Sequence, residues 1–138
     1  MILQWIEKNY RYNSKSWEFD IVAKRIIAWI SSSRLTYEDG SRDYKNKFNS
    51  VIKKQINHLI NEIEGSELVD DKMIGCAAII LTGLSYQDKD QYLKTGLNLL
   101  RKLVKYSFDS DGFPKSRNIR QLCFYLKYFI LIREWFKE

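Results

Sequence analysis

Apolar residues recur at helical spacing along almost the whole chain, and no stretch predicts a sheet. From about Trp17, the residues Phe19, Val22, Ile26, Trp29 and Ile30 fall on one helical face, with Lys24 and Arg25 off it. Ser16 is placed to cap this helix, and Ser31 to Ser33 end it. A polar connection over 34–43 turns at Asp39-Gly40. It leads to a helix from about Tyr44 to Glu64, striped by Phe48, Val51, Ile52, Gln55, Ile56, Leu59, Ile60 and Ile63. Gly65 stands where a left-handed residue often closes a helix.

The segment from Val69 to Leu84 is different. After Asp70, Asp71 and Lys72 it is apolar all round, from Met73 through Leu81. A helix apolar on every face is packed on every face. It is therefore either central or covered by chain beyond these residues. Asp88 with Gln91 resembles a capping box, opening a helix with Tyr92, Leu93, Leu97, Leu100, Leu103 and Val104 inward. The strongest break, over 107–115, holds Asp111-Gly112 and Pro114. A last helix from about Asn118 to Phe136 carries Leu122, Leu126, Phe129, Ile130 and Phe136 on its stripe. Residues 1–16 form a lead-in with Ile2, Trp5 and Ile6 at helical spacing. Short links favour antiparallel neighbours, so the reading is all-α: about five helices paired as antiparallel hairpins in one unit over 1–138.

Composition narrows this only a little. The 138 residues are about one domain's worth, 45% are apolar, and one proline and six glycines suit long helices. No run approaches a membrane span, and Met1 to Trp5 lacks the basic start of a secretory signal. Localisation stays open; reduced thiols at Cys76 and Cys123, both read as small buried hydrophobes, are compatible with cytoplasm. The net charge of +6 admits an anionic partner. The basic residues are dispersed, however, and no helix is lined by them on one side, which speaks against nucleic acid.

The common catalytic and phosphate-binding motifs are absent, and no cofactor or metal is implied. His58, the single histidine, has no ligand-type partner at useful spacing and reads as a boundary residue. Two helix starts stand out. Asp70, Asp71 and Lys72 bring mixed charge to free backbone amides at the mouth of the most apolar helix. Arg117, Asn118, Arg120 and Gln121 cluster at another helix N-terminus, where cations oppose the dipole. Arginines placed there point towards anion binding, with Asn and Gln available to neighbouring hydroxyls.

Five segments in order resemble the helical domain of heparinase II/III-like polysaccharide lyases, in the divergent branch found in α-proteobacteria. They are Ala23 to Ile30 (AKRIIAWI), Gln55 to Leu59 (QINHL), Asp71 to Leu84 (DKMIGCAAIILTGL), Asp111 to Ile119 (DGFPKSRNI) and Leu126 to Glu134 (LKYFILIRE). The resemblance spans roughly Trp17 to Glu138. It implies part of an incomplete (α/α) toroid, a fragment of a longer chain, with apolar surface left by missing helices and open to self-association. It also implies an acidic polysaccharide as partner. Family chemistry is β-elimination, using an Asn to neutralise a uronate carboxylate and a Tyr or His as base. Those positions fall near Asp70-Asp71 and Arg120-Gln121, and neither carries the family residue. An aspartate would repel a carboxylate, and a glutamine is no base. The expectation is a retained site with no lyase activity in this chain alone; a non-catalytic helical binding module is the alternative.

Overall fold

The computed structural model describes residues 1–87 and 90–137. Among these residues six α-helices follow one another: α1 (Ile2–Asn9), α2 (Phe19–Ser31), α3 (Arg42–Glu62), α4 (Val69–Ser85), α5 (Asp90–Ser107) and α6 (Ile119–Trp135). A π-helical turn, Arg34–Glu38, lies in the connection between α2 and α3. Among the described residues there is no strand, and one isolated bridge joins Phe108 to Pro114. The capping box read at Asp88 lies outside the described residues.

Helix α4 is central. It packs against α2, α3, α5 and α6, and every residue from Met73 to Gly83 is buried. Around it lie Val22, Ala23 and Ile26 of α2, Ile52, Ile56 and Leu59 of α3, and Tyr125, Tyr128 and Ile132 of α6. Glycines set how closely α5 approaches. A Cβ added at Gly83 would lie 2.5 Å from the Leu93 backbone nitrogen, and one at Gly96 would lie 2.7 Å from Ile80 Cγ1. Of the two readings left open for this helix, neighbours within the chain account for its burial. The all-helical class is therefore what the structure has; a ring is not needed to bury α4.

Several local expectations are corrected. Ser16 does not cap α2: its hydroxyl donates to Asn9 Oδ1, and the helix starts after Glu18 with no side-chain cap. Ser41 caps α3 instead, accepting from the Tyr44 N–H. Gly65 is not left-handed; that conformation belongs to Gly112, at φ 80°, in the turn before α6. Val104 is exposed, and Cys123 is exposed where burial was expected, whereas Cys76 is buried, with its thiol pushed up to about 12 by desolvation.

The last helix departs most from its expected stripe. Leu126, Ile130 and Phe136 are exposed, and Tyr125, Tyr128 and Ile132 face the core. An amphipathic helix buries one continuous face, and in this one the buried face includes two tyrosines.

Residues 1–16 are docked onto the rest. Trp17 Nε1 donates to Asn9 O at 2.9 Å, and Trp5 packs edge-on against Trp29 at 5.3 Å. The Arg25 guanidinium lies 4.0 Å from the Trp5 ring centroid and donates to Gln55 Oε1 at 2.9 Å and to Ser16 O at 2.6 Å. Arg25, expected off the packed face, thus ties the lead-in to α2 and α3, and burial lowers its pKa to about 10.

Candidate functional site

The two helix starts singled out in the sequence meet. Gln121 Nε2, in the first turn of α6, donates to Asp70 Oδ1, in the first turn of α4, at 3.0 Å. The chain brings them together through the loop over 108–118. The Asp109 carboxylate anchors that loop, its Oδ1 accepting from the Asp111 and Phe113 N–H groups at 3.0 and 2.9 Å. Lys115 N then donates to Ser107 O at 2.8 Å, closing the loop onto the end of α5. Asn118 caps α6, its Oδ1 accepting from the Arg120 and Gln121 N–H groups. Gln121 Oε1 accepts from the Ser116 hydroxyl, so one amide clasps both the loop and α4.

Between these elements lies a cavity of about 300 Å³, lined by Val69, Tyr106, Ser107, Lys115, Ser116, Gln121 and Tyr125. At its wall the hydroxyls of Tyr125 and Ser107 are buried with no hydrogen-bond partner. Tyr125 is 1% exposed. Its hydroxyl faces Asp70, Ser107 and Gln121, near enough for all three to act on its protonation. Burial, and then the Asp70 charge, push the phenol up to about 12. At neutral pH it therefore keeps its proton. Buried polar groups are nearly always paired, with protein, water or ligand, which makes these two adjacent hydroxyls the chemical feature of this cavity.

A second cavity, about 270 Å³, adjoins the first and shares Val69 and Tyr106 with it. It runs between the end of α3, the start of α4 and the end of α5, and Lys72, Lys102, Glu64 and Glu67 are at its rim. Tyr106, 71% exposed, stands between the two, with the Lys115 ammonium 6.0 Å from its ring centroid. The two cavities flank Tyr106.

The seven sequence candidates divide. Gln121 lines the first cavity and donates to Asp70 beside it, and Lys72 lines the second, donating to Glu64 O at 3.4 Å. Asp71 turns towards α2. Burial first, and then Asp20, raise its carboxyl, with Lys24 acting in the opposite sense. Asn118 is used as a cap. Arg117 is held within its own loop: its backbone is left-handed at φ 55°, and its guanidinium lies 2.8 Å from Asp109 Oδ2. Arg120 is exposed, and nothing among the described residues engages its side chain.

Sequence reasoning missed Tyr125, Ser107, Lys115 and Tyr106. The signal for Tyr125 was present, since it stands four residues after Gln121 and so on the same helical face. His58 behaves as read: its Nε2 lies 3.0 Å from Trp17 O, and its ring packs edge-on to Trp17 at 5.5 Å. Among the described residues no three His, Cys, Asp or Glu side chains gather as metal ligands, and no helix is long and apolar enough to cross a membrane. No protein-family model, curated protein or solved structure matches the chain.

Proposed function

We propose that this chain is a glycan-binding helical module, akin to the ring domain of heparinase II/III-like lyases, which takes an acidic oligosaccharide in the groove at the starts of α4 and α6. The observation that carries this is the clasp of Gln121 on Asp70 beside the unpaired hydroxyls of Tyr125 and Ser107. Sugars bring many hydroxyls that both donate and accept. Buried Ser and Tyr hydroxyls, a Gln amide and an exposed aromatic ring match that chemistry. Lys115 and Lys72 supply the cations that a uronate carboxylate needs, one in each half of the groove.

The module binds but does not cleave. β-Elimination needs a group that neutralises the carboxylate and a base of suitable pKa. Asp70 stands where the first would be, and Tyr125 keeps its proton at neutral pH. The exposed apolar side chains of α6, Ile119, Leu126 and Ile130, with Phe136 just after it, are the surface that a following helix of the ring would cover.

Calorimetric titration with a uronate tetrasaccharide tests the reading. Binding is expected for the wild type, with a loss of roughly tenfold in Lys115→Ala, the scale of one charge-assisted hydrogen bond. Absence of binding, or equal binding by Lys115→Ala, contradicts the site. Absorbance from an unsaturated uronate product contradicts the non-catalytic part alone.

A further inference from the structure

At the opposite end of α4, the C-terminal turns of α2, α4 and α6 converge on a cavity of about 470 Å³. Five aromatic side chains line it: Trp29, Tyr37, Phe48, Tyr86 and Trp135. No lysine, arginine or histidine does. The serine hydroxyls and the Tyr86 hydroxyl in the wall spend their protons on the protein. Ser31 Oγ donates to Ile27 O at 2.6 Å, and Ser85 Oγ donates to Leu81 O at 2.8 Å. Ser33 Oγ donates to Glu38 Oε1 at 3.2 Å, and the Tyr86 hydroxyl donates to Asn49 Oδ1 at 2.8 Å. Asn49 Nδ2 in turn donates to the Tyr37 hydroxyl oxygen at 3.0 Å. The oxygen lone pairs of these groups and the five aromatic rings remain in the wall, with no charged side chain among them.

Helix C-termini add partial negative charge, and neither α2 nor α4 has a basic residue in its last turn to offset it; α6 has Arg133. Ring faces attract cations, and Tyr37 already does so from outside the cavity, where the Lys45 ammonium lies 5.3 Å from its centroid. An anion would find no positive side chain here. A protonated amine with an apolar body matches the rings, the hydroxyl and amide lone pairs, and a wall without positive side chains.

We propose that this cavity is a second binding site, for a small protonated amine carrying an apolar or aromatic group. It does not depend on the glycan reading of the groove. The test is a pair of titrations of the full chain at pH 7, followed by amide NMR, with benzylamine and with its uncharged counterpart benzyl alcohol. Benzylamine is expected to shift the amides of Ser31, Asn49 and Ser85, and the alcohol to bind roughly tenfold more weakly, as the cation–ring attraction requires. Trp135→Ala should weaken the amine several-fold with helicity unchanged. The wild-type comparison decides the matter even if that variant fails to fold. Equal affinity for the two probes overturns the proposal. So does the absence of shifts with the amine up to about 20 mM, or shifts confined to other parts of the molecule.

Discussion

At the scale of single residues, Tyr125 links stability to function. Its hydroxyl is buried and unpaired, a cost to folding that a ligand would relieve. Tyr125→Phe should therefore stabilise the free protein by about 1 kcal/mol in urea unfolding at pH 7. A loss of similar size would mean that the hydroxyl is satisfied within the protein. The same side chain sets a pH dependence. Its folded-state pKa is raised from the usual 10 to about 12, so its contribution is complete below pH 10 and drains away as pH rises towards 12. Wild-type stability should fall across that window, and less steeply in Tyr125→Phe. Parallel slopes would show that the phenol is not perturbed. Arg117 teaches the converse lesson. Two arginines at a helix start suggested an anion, yet one of them closes its own loop on Asp109. Which cations a loop keeps for itself depends on backbone dihedrals such as φ 55°, and these leave no trace in residue spacing.

At the scale of elements, periodicity reads well where a helix is one-sided and poorly where aromatic residues surround it. The stripe of α3 was legible because its apolar residues share a face opposite lysines and asparagines. In α6, Leu, Ile, Phe and Tyr occur on all sides, and packing alone selects Tyr125, Tyr128 and Ile132. The N-terminal lead-in was legible as apolar but not as clamped, since the Arg25 bridge to Gln55 and Ser16 joins residues far apart in sequence. The α4–α5 contact gives a sharp test. Gly83→Ala forces a methyl group against the Leu93 backbone, which cannot swing away as a side chain can. The gain in helix propensity, about 1 kcal/mol, is outweighed by overpacking of roughly 2–3 kcal/mol. Gly65→Ala meets nothing closer than 3.6 Å and has no positive φ to strain, so it should be neutral or stabilising by under about 1 kcal/mol. Thermal unfolding of the pair should separate them clearly, and equal melting temperatures would contradict the close helix contact.

At the scale of the whole molecule, a central helix has its two ends open to different chemistry. The N-terminal end of α4 meets α6 beside a cavity that holds the Tyr125 and Ser107 hydroxyls, and its C-terminal end meets aromatic rings and helix carboxyl ends. That α4 is buried was legible from its composition, and which helices bury it was not, because four neighbours satisfy the same apolar surface in many arrangements. The site was half legible. Asp70 and Gln121 were named from charge placement at two helix starts, and they touch. Tyr125, Ser107 and Tyr106 depend on the path of the 108–118 loop, which no spacing rule fixes. The proposed ring kinship and the glycan rest on that meeting of α4 and α6. The most direct measurement is amide NMR of the chain titrated with a uronate tetrasaccharide. The account predicts shifts gathered on Val69 to Lys72, Tyr106, Ser107 and Lys115 to Gln121; no shifts, or shifts scattered away from this groove, would contradict it.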